Sequence, residues 1–242
     1  MKKIVPLLFS GILALSTISC LAKPASTTTI KQTEDRTVKN FSGIAAGGPI
    51  DVIVTIGNTE SVRFEGDADA IATLVTEVRG NVLIIRPQNS WKSWAKKYED
   101  KKITAYVSAK KISSLTMSGS GSMRVNSPIN QSELTTTLSG SGSIKVGLDV
   151  QELTSVLSGS GTISLTGSAD KTTVTLSGSG VLNGKSLKVG SLSTTLSGSG
   201  SVNVDASDEI NAVISGSGTV NYRQSPTIHK TVIGSGGVRR GL

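Results

Sequence analysis

The sequence predicts an all-β protein wound as a parallel β-helix, a solenoid with coils of about 19 residues marked by the tetrapeptide SGSG. Three observations predict it. LSGSG stands at 138–142, 157–161, 176–180 and 196–200, with MSGSG at 117–121, ISGSG at 214–218 and a blurred GSGG at 234–237. The first glycines fall at 119, 140, 159, 178, 198, 216 and 234, in steps of 21, 19, 19, 20, 18 and 18, which suits coils whose corners differ slightly in length. The flanking apolar residues share one parity: Leu138, Gly140, Gly142, Ile144 and Val146 lie on one face of an extended chain.

That parity puts the glycines inward and the serines outward. Glycine there lets the backbone bend sharply or approach another wall closely. A coil of about 19 residues at ~3.3 Å per residue has a contour of ~60 Å, enough for three short strands and their corners. Stacking at ~4.8 Å then pairs each strand in parallel with its neighbours. An antiparallel sandwich would not repeat one turn at this interval with matching parity.

Taken in chain order, the first segment is MKKIVPLLFSGILALSTISCLAKP, with lysines at 2 and 3, an apolar run of about a dozen residues and small residues near position 20. It reads as a secretory signal over 1–22, too short for a membrane span. Cleavage after Ala22 would use Cys20 and Ala22 as the small residues; alternatively Cys20 becomes a lipidated N-terminus, although Thr17 stands where a lipobox prefers Leu. Either route exports the chain to the periplasm, the outer membrane surface or the medium. Membrane attachment is expected only if Cys20 is lipidated. Residues 23–40 are polar and patternless, a flexible leader, and the β-helix is expected over 41–242.

PIDVIVTIGN and SVRFEGD alternate like strands, and NVLIIRP is a more continuously apolar one. ADAIATLVTEV fits a short helix or a strand equally well. These segments are expected to form irregular first coils that close one end, because an open solenoid end invites aggregation. QNSWKSWAKKYEDKK at 88–102 differs from its surroundings: it holds Trp91, Trp94 and Tyr98 among Lys92, Lys96, Lys97, Lys101 and Lys102. Two readings stand side by side. Trp91, Trp94, Tyr98, Lys96 and Lys97 could bind a ligand, the rings stacking on sugar faces or a partner protein and the lysines attracting acidic polymer. Equally, the tryptophans could fold down as a cap.

Composition excludes several chemistries. Cys20 is the only cysteine, so no disulfide forms within the chain. The net charge of +8 becomes about +6 without Lys2 and Lys3 (25 − 2 basic against 17 acidic), an excess that serves solubility or attracts anionic envelope polymers. An exported chain is not expected to bind nucleic acid. His229 is the only histidine, GxSxG is absent, and the repeated serines are equivalent copies, so no serine is singled out as a nucleophile. SGVLNGKS at 179–186 approaches a P-loop, but Ser179 replaces its first glycine and strand pattern follows instead of a helix. Zinc-type clusters are absent, and the slots after the glycines hold Ser122, Ser143, Thr162, Val181, Ser201 and Thr219 where calcium repeats need aspartate. No cofactor, metal or catalytic residue is expected.

FSGIAAGGPIDVIVTIGNTESVRFEGD, then VTEVRGNVLIIRP, then serial SGSG units closing with SGSGTVNYRQSP and IGSGGVR, resembles the head GIN domain family of bacterial putative auto-transporter adhesins. The likeness runs from about Phe41 to Val238. It implies a right-handed parallel β-helix in an envelope or secreted location, and it brings no catalytic motif. Two departures touch the last coil: Arg223-Gln224 stands where a glycine turn is expected, and the final unit reads GSGG.

Two outward columns complete the candidates. Glu133, Glu152, Lys171, Ser191 and Glu209 stand seven residues before successive first glycines. Glu133 and Glu152, one rung or ~4.8 Å apart, approach the ~5 Å of retaining glycosidases, although stacked like charges on a corner are usually a solvated edge. Thr135 and Thr137, Thr154 and Val156, Thr173 and Thr175, Ser193 and Thr195, then Asn211 and Val213 form hydroxyl-rich columns: ordinary β-propensity, or an array that binds an ordered surface. The sequence therefore points to a non-enzymatic surface binding protein whose partner is an envelope glycan or another surface protein. The alternatives are a polysaccharide-acting enzyme using the carboxylate column and a structural envelope scaffold. The oligomeric state is left open.

Overall fold

The computed structural model describes residues 32–98 and 101–241; Cys20, the signal and the first half of the leader lie outside them. The strands in chain order are β1 (Gln32–Arg36), β2 (Gly43–Gly47), β3 (Asp51–Ile56), β4 (Ser61–Gly66), β5 (Leu74–Arg79), β6 (Val82–Pro87), β7 (Thr104–Ala109), β8 (Ser114–Gly119) and β9 (Ser122–Val125). They continue with β10 (Ile129–Gly140), β11 (Ser143–Gly159), β12 (Thr162–Gly178), β13 (Val181–Gly198), β14 (Ser201–Gly216), β15 (Thr219–Tyr222), β16 (Thr227–Ile233) and β17 (Gly237–Arg240). Helix α1 (Ala68–Ala72) joins β4 to β5, and α2 (Trp91–Lys97) lies between β6 and β7.

The expected β-solenoid is what these strands build. β10 to β14 each run around corners, and each pairs in parallel with the next in a register that superposes the repeats: Gly140 on Gly159, Gly159 on Gly178, Gly178 on Gly198. One wall stacks β6, β2, β8, the C-terminal halves of β10 to β14, and β16. A second stacks β7, β3, β9, the starts of β11 to β14, then β15 and β17. The core column Met117, Leu138, Leu157, Leu176, Leu196 and Ile214 is at most 1% exposed. Burying such columns against one another is what each coil cannot do alone.

The SGSG unit sets the corner. The first glycines all take left-handed backbone, φ +113° to +119°, a region that costs any residue with a β-carbon. In this conformation the Gly140 carbonyl accepts the N–H groups of both Ser160 and Gly161 in the next coil, at 3.1 and 3.0 Å. Gly142 is buried and Ser139 and Ser141 are exposed, as the parity predicted, whereas Gly140, also expected inward, is half-buried and faces the Gly119 backbone of the adjoining coil.

The N-terminal end is irregular, as expected, but its order is not that of the chain. β2 lies between β6 and β8, and β3 between β7 and β9. The coils therefore start in the second layer with β2 and β3, cross to the outermost one with β6 and β7, and return to the third with β8 and β9. Antiparallel β5 then flanks β6, and β4 followed by β1 flanks β7. ADAIATLVTEV resolves into both of its readings, α1 followed by β5, with Asp67 accepting the Ala70 N–H at the helix start.

β1 lies within the stretch read as a flexible leader. Its partner β4 supplies the backbone bonds, and Arg36 fastens it: the guanidinium donates to the Ile71 carbonyl (3.0 Å), the Leu74 carbonyl (2.7 Å) and Thr76 Oγ1 (2.8 Å), 4.8 Å from the Phe64 ring centre. At the other end, Arg223-Gln224 still makes a tight turn. Gln224 adopts φ +71° without being glycine, and its amide donates to Asp205 Oδ1 at 2.9 Å.

Candidate functional site

The tryptophan-lysine segment is placed by α2. Trp94 is 5% exposed, and its indole N–H donates to Thr73 Oγ1 at 2.7 Å. Tyr98 is 7% exposed, its hydroxyl donates to the Asp69 carbonyl at 3.4 Å, and the two ring centres are 5.1 Å apart. Both rings thus face α1 and the residue that ends it, which is the capping arrangement. A sugar could stack on them only after these contacts broke. Lys96 and Lys97 remain exposed, with the Lys97 ammonium 5.0 Å from the Tyr98 ring centre. The Trp91 side chain lies outside what is described.

Glu133 and Glu152 are in direct register, as expected, with Lys171 the next rung. Both are exposed. The hollow of about 460 Å³ beside them is lined by Asn130, Gln131, Asp149, Gln151 and Asp170, not by either glutamate. His229 Nε2 lies 3.7 Å from Glu209 Oε1, both side chains well exposed. Among the described residues no group of three or more His, Cys, Asp or Glu could hold a metal ion. No described helix is long and apolar enough to cross a membrane.

The hydroxyl columns are built by the same register that aligns the glycines. Ser114, Thr135, Thr154, Thr173, Ser193, Asn211 and His229 follow one another across the wall, and beside them run Thr116, Thr137, Val156, Thr175, Thr195, Val213 and Thr231. From Thr173 to Thr231 every member is exposed. Rung spacing is ~4.8 Å across the strands and ~6.7 Å between alternate residues along them. Toward the C-terminal end, Ser193, Thr195, Asn211, Val213, His229 and Thr231 border a hollow of about 510 Å³. Sequence reasoning located these columns. It did not single out a second hollow of about 360 Å³ on the other wall, around Tyr106.

A putative adhesin from Bacteroides fragilis has the same fold, with a TM-score of 0.75 at 21% identity over 87% of this chain and 97% of that one. A putative adhesin from Parabacteroides merdae gives 0.67 at 20% identity, covering 88% and 96%. A putative lipid binding protein from Parabacteroides distasonis gives 0.68 at 23%, covering 88% and 97%. No curated protein matches the sequence. Residues 40–226, from the turn before β2 to the turn after β15, match one family along their whole length, and this chain belongs to it: the putative auto-transporter adhesin, head GIN domain family.

Proposed function

We propose that this protein is a non-enzymatic, exported binding protein of the cell envelope or surface, of adhesin type. One observation carries the reading: the register of β10 to β14 and β16 repeats exposed threonine, serine and asparagine side chains at even spacing on one wall. Even repetition builds a surface, whereas catalysis needs one irregular, partnered site. A periodic array of short hydroxyl side chains suits an extended, ordered, hydroxyl-bearing partner such as an envelope glycan. Short side chains also lose little rotamer freedom on contact. Lys96 and Lys97 add positive charge that favours anionic polymer.

The test is retention of the protein on insoluble peptidoglycan and on crystalline polysaccharide. The comparison is a variant carrying Thr154→Lys, Thr173→Lys and Thr175→Lys, with circular dichroism as the fold check. Retention should be lost in the variant. Equal retention of both proteins overturns the assignment of the hydroxyl wall. The enzymatic alternative is checked in the same samples: Glu133→Ala with Glu152→Ala should leave retention unchanged, and release of soluble sugar that depends on those two residues would establish an enzyme.

A further inference from the structure

We infer that the outer face of β1, β4, β7 and β3 carries a discrete site for a neutral saccharide, with Tyr106 as its platform. Asp35, Arg63, Tyr106 and Ile53 stand side by side in one row across these four strands. They line a hollow of about 360 Å³, within the ~300–1,000 Å³ typical of small-molecule sites. Hydroxyls of Thr33, Thr55, Ser61 and Ser108 complete the rim.

Each part has a matching role. Tyr106 is 39% exposed, whereas Trp94, Tyr98, Phe41 and Phe64 are buried and Tyr222 packs against the core. An open aromatic ring next to Ile53 offers an apolar surface to the C–H face of a pyranose. The Tyr106 hydroxyl donates to Glu65 Oε2 at 3.3 Å, which fixes the ring. Arg63 donates its Nε to Asp35 Oδ1 at 2.9 Å, and that is its one described hydrogen bond; its terminal nitrogens can meet adjacent sugar hydroxyls as a planar fork. An exposed ion pair of this kind adds little to stability, so orienting the guanidinium is the greater effect of Asp35.

Charge selects among ligands. Arg63, the cation of the lining, is already paired with Asp35, which disfavours phosphates and acidic sugars. A purely apolar ligand would desolvate Arg63 and Asp35 without pairing them. The site exists because antiparallel β1 and β4 interrupt the repeat, so each residue here occurs once. It goes beyond the hydroxyl wall and does not require it.

The experiment is an oligosaccharide array probed with the wild-type protein, Tyr106→Ala, Tyr106→Phe, Arg63→Met and the Thr154/Thr173/Thr175 lysine variant, each checked by circular dichroism. At least one neutral saccharide should bind the wild type, with affinity falling at least about tenfold in Tyr106→Ala and in Arg63→Met. Tyr106→Phe, which keeps the ring but not its bond to Glu65, should lose less than Tyr106→Ala, and the lysine variant should bind like the wild type. Binding should persist in about 0.5 M salt, which screens charge. The site is overturned if no saccharide distinguishes the wild type from Tyr106→Ala, if salt abolishes binding, or if Tyr106→Phe fails as badly as Tyr106→Ala. Loss in the lysine variant alone would place saccharide binding on the hydroxyl wall instead.

Discussion

The carbonyl oxygen of Gly140 lies 2.5 Å from the point where a β-carbon on Gly159 would sit, and Gly159 has φ +117°. The same relationship recurs up the column, with Gly178 against Gly159 at 2.6 Å and Gly198 against Gly178 at 2.5 Å. Any β-carbon there meets the backbone of the adjoining coil, which is itself held by inter-coil hydrogen bonds and cannot yield. Gly159→Ala therefore combines left-handed strain with overpacking and should cost roughly 3–5 kcal/mol. Ser160→Ala, on the exposed neighbour, should stay within about 0.5 kcal/mol. Urea unfolding midpoints of the two variants check this, and equal midpoints would refute it.

This column also explains how much of the molecule was legible in the sequence. Glycines that each meet the glycine of the coil below must recur once per coil, so period, parity and register could be read directly. The layer order at the N-terminal end left no such trace. Nothing in GIAAG or DVIVTI distinguishes a strand that stacks on the next segment from one inserted between two later ones. β1 was hidden because its order rests on Arg36 reaching Ile71, Leu74 and Thr76, distant in sequence. The Trp94 cap was visible only as one of two readings, since which way a ring turns depends on Thr73 being opposite it. The Tyr106 hollow depends on β1 and β4 folding alongside β7, and so was invisible for the same reason.

Two buried hydroxyls in the core should respond in opposite directions. Thr172 is 2% exposed, stands between Leu153 and Leu192 in register, and its Oγ1 has no hydrogen-bond partner. Thr172→Val exchanges that hydroxyl for a methyl of similar volume and should stabilise the protein by about 1 kcal/mol. Thr136 is fully buried, but its hydroxyl is 2.8 Å from that of Ser155. Thr136→Val strands the Ser155 hydroxyl and should destabilise by about 1–3 kcal/mol. Denaturation of both variants decides the matter; the same sign in each would contradict the accounting of their partners.

Acid should loosen the contact between Asp67, Lys101 and α1. The Lys101 ammonium, 3.0 Å from Asp67 Oδ2, and the Ala70 N–H hold the Asp67 carboxyl below its ordinary value of 3.8. A carboxylate whose folded value is depressed contributes stability that is fully present above the unfolded value. That contribution is lost as pH falls through the folded one. The loss therefore begins below about pH 4. Asp67→Asn should be less stable than the wild type at neutral pH and should show a shallower fall in stability below pH 4. Trp94 fluorescence, which reports the cap through its contact with Thr73, follows both proteins; parallel pH profiles would exclude this role for Asp67.

Among the described residues no helix covers the far end of the solenoid, and Lys230 guards that edge. Leu115, Thr136, Ser155, Val174, Thr194 and Ala212 form a buried inward column, and the register of Ala212 with Lys230 puts a lysine in the next position. Among the described strands β16 pairs only with β14 and β17 only with β15, and Ile233 is 69% exposed. Such an edge is a template for another chain, and a charge in an inward column is a known way to block it. After Glu209 the sequence carries Arg223, Lys230, Arg239 and Arg240 and no acidic residue, so two copies meeting end to end would also repel. Lys230→Val should remove the guard and let the half-buried Ile228 and Val232 extend a continuous apolar column to a second copy. Sedimentation velocity at matched concentration should then show Lys230→Val more associated than the wild type, with Lys230→Arg unchanged. If Lys230→Val sediments like the wild type, the edge is protected by the twist and shortness of β17 rather than by this lysine.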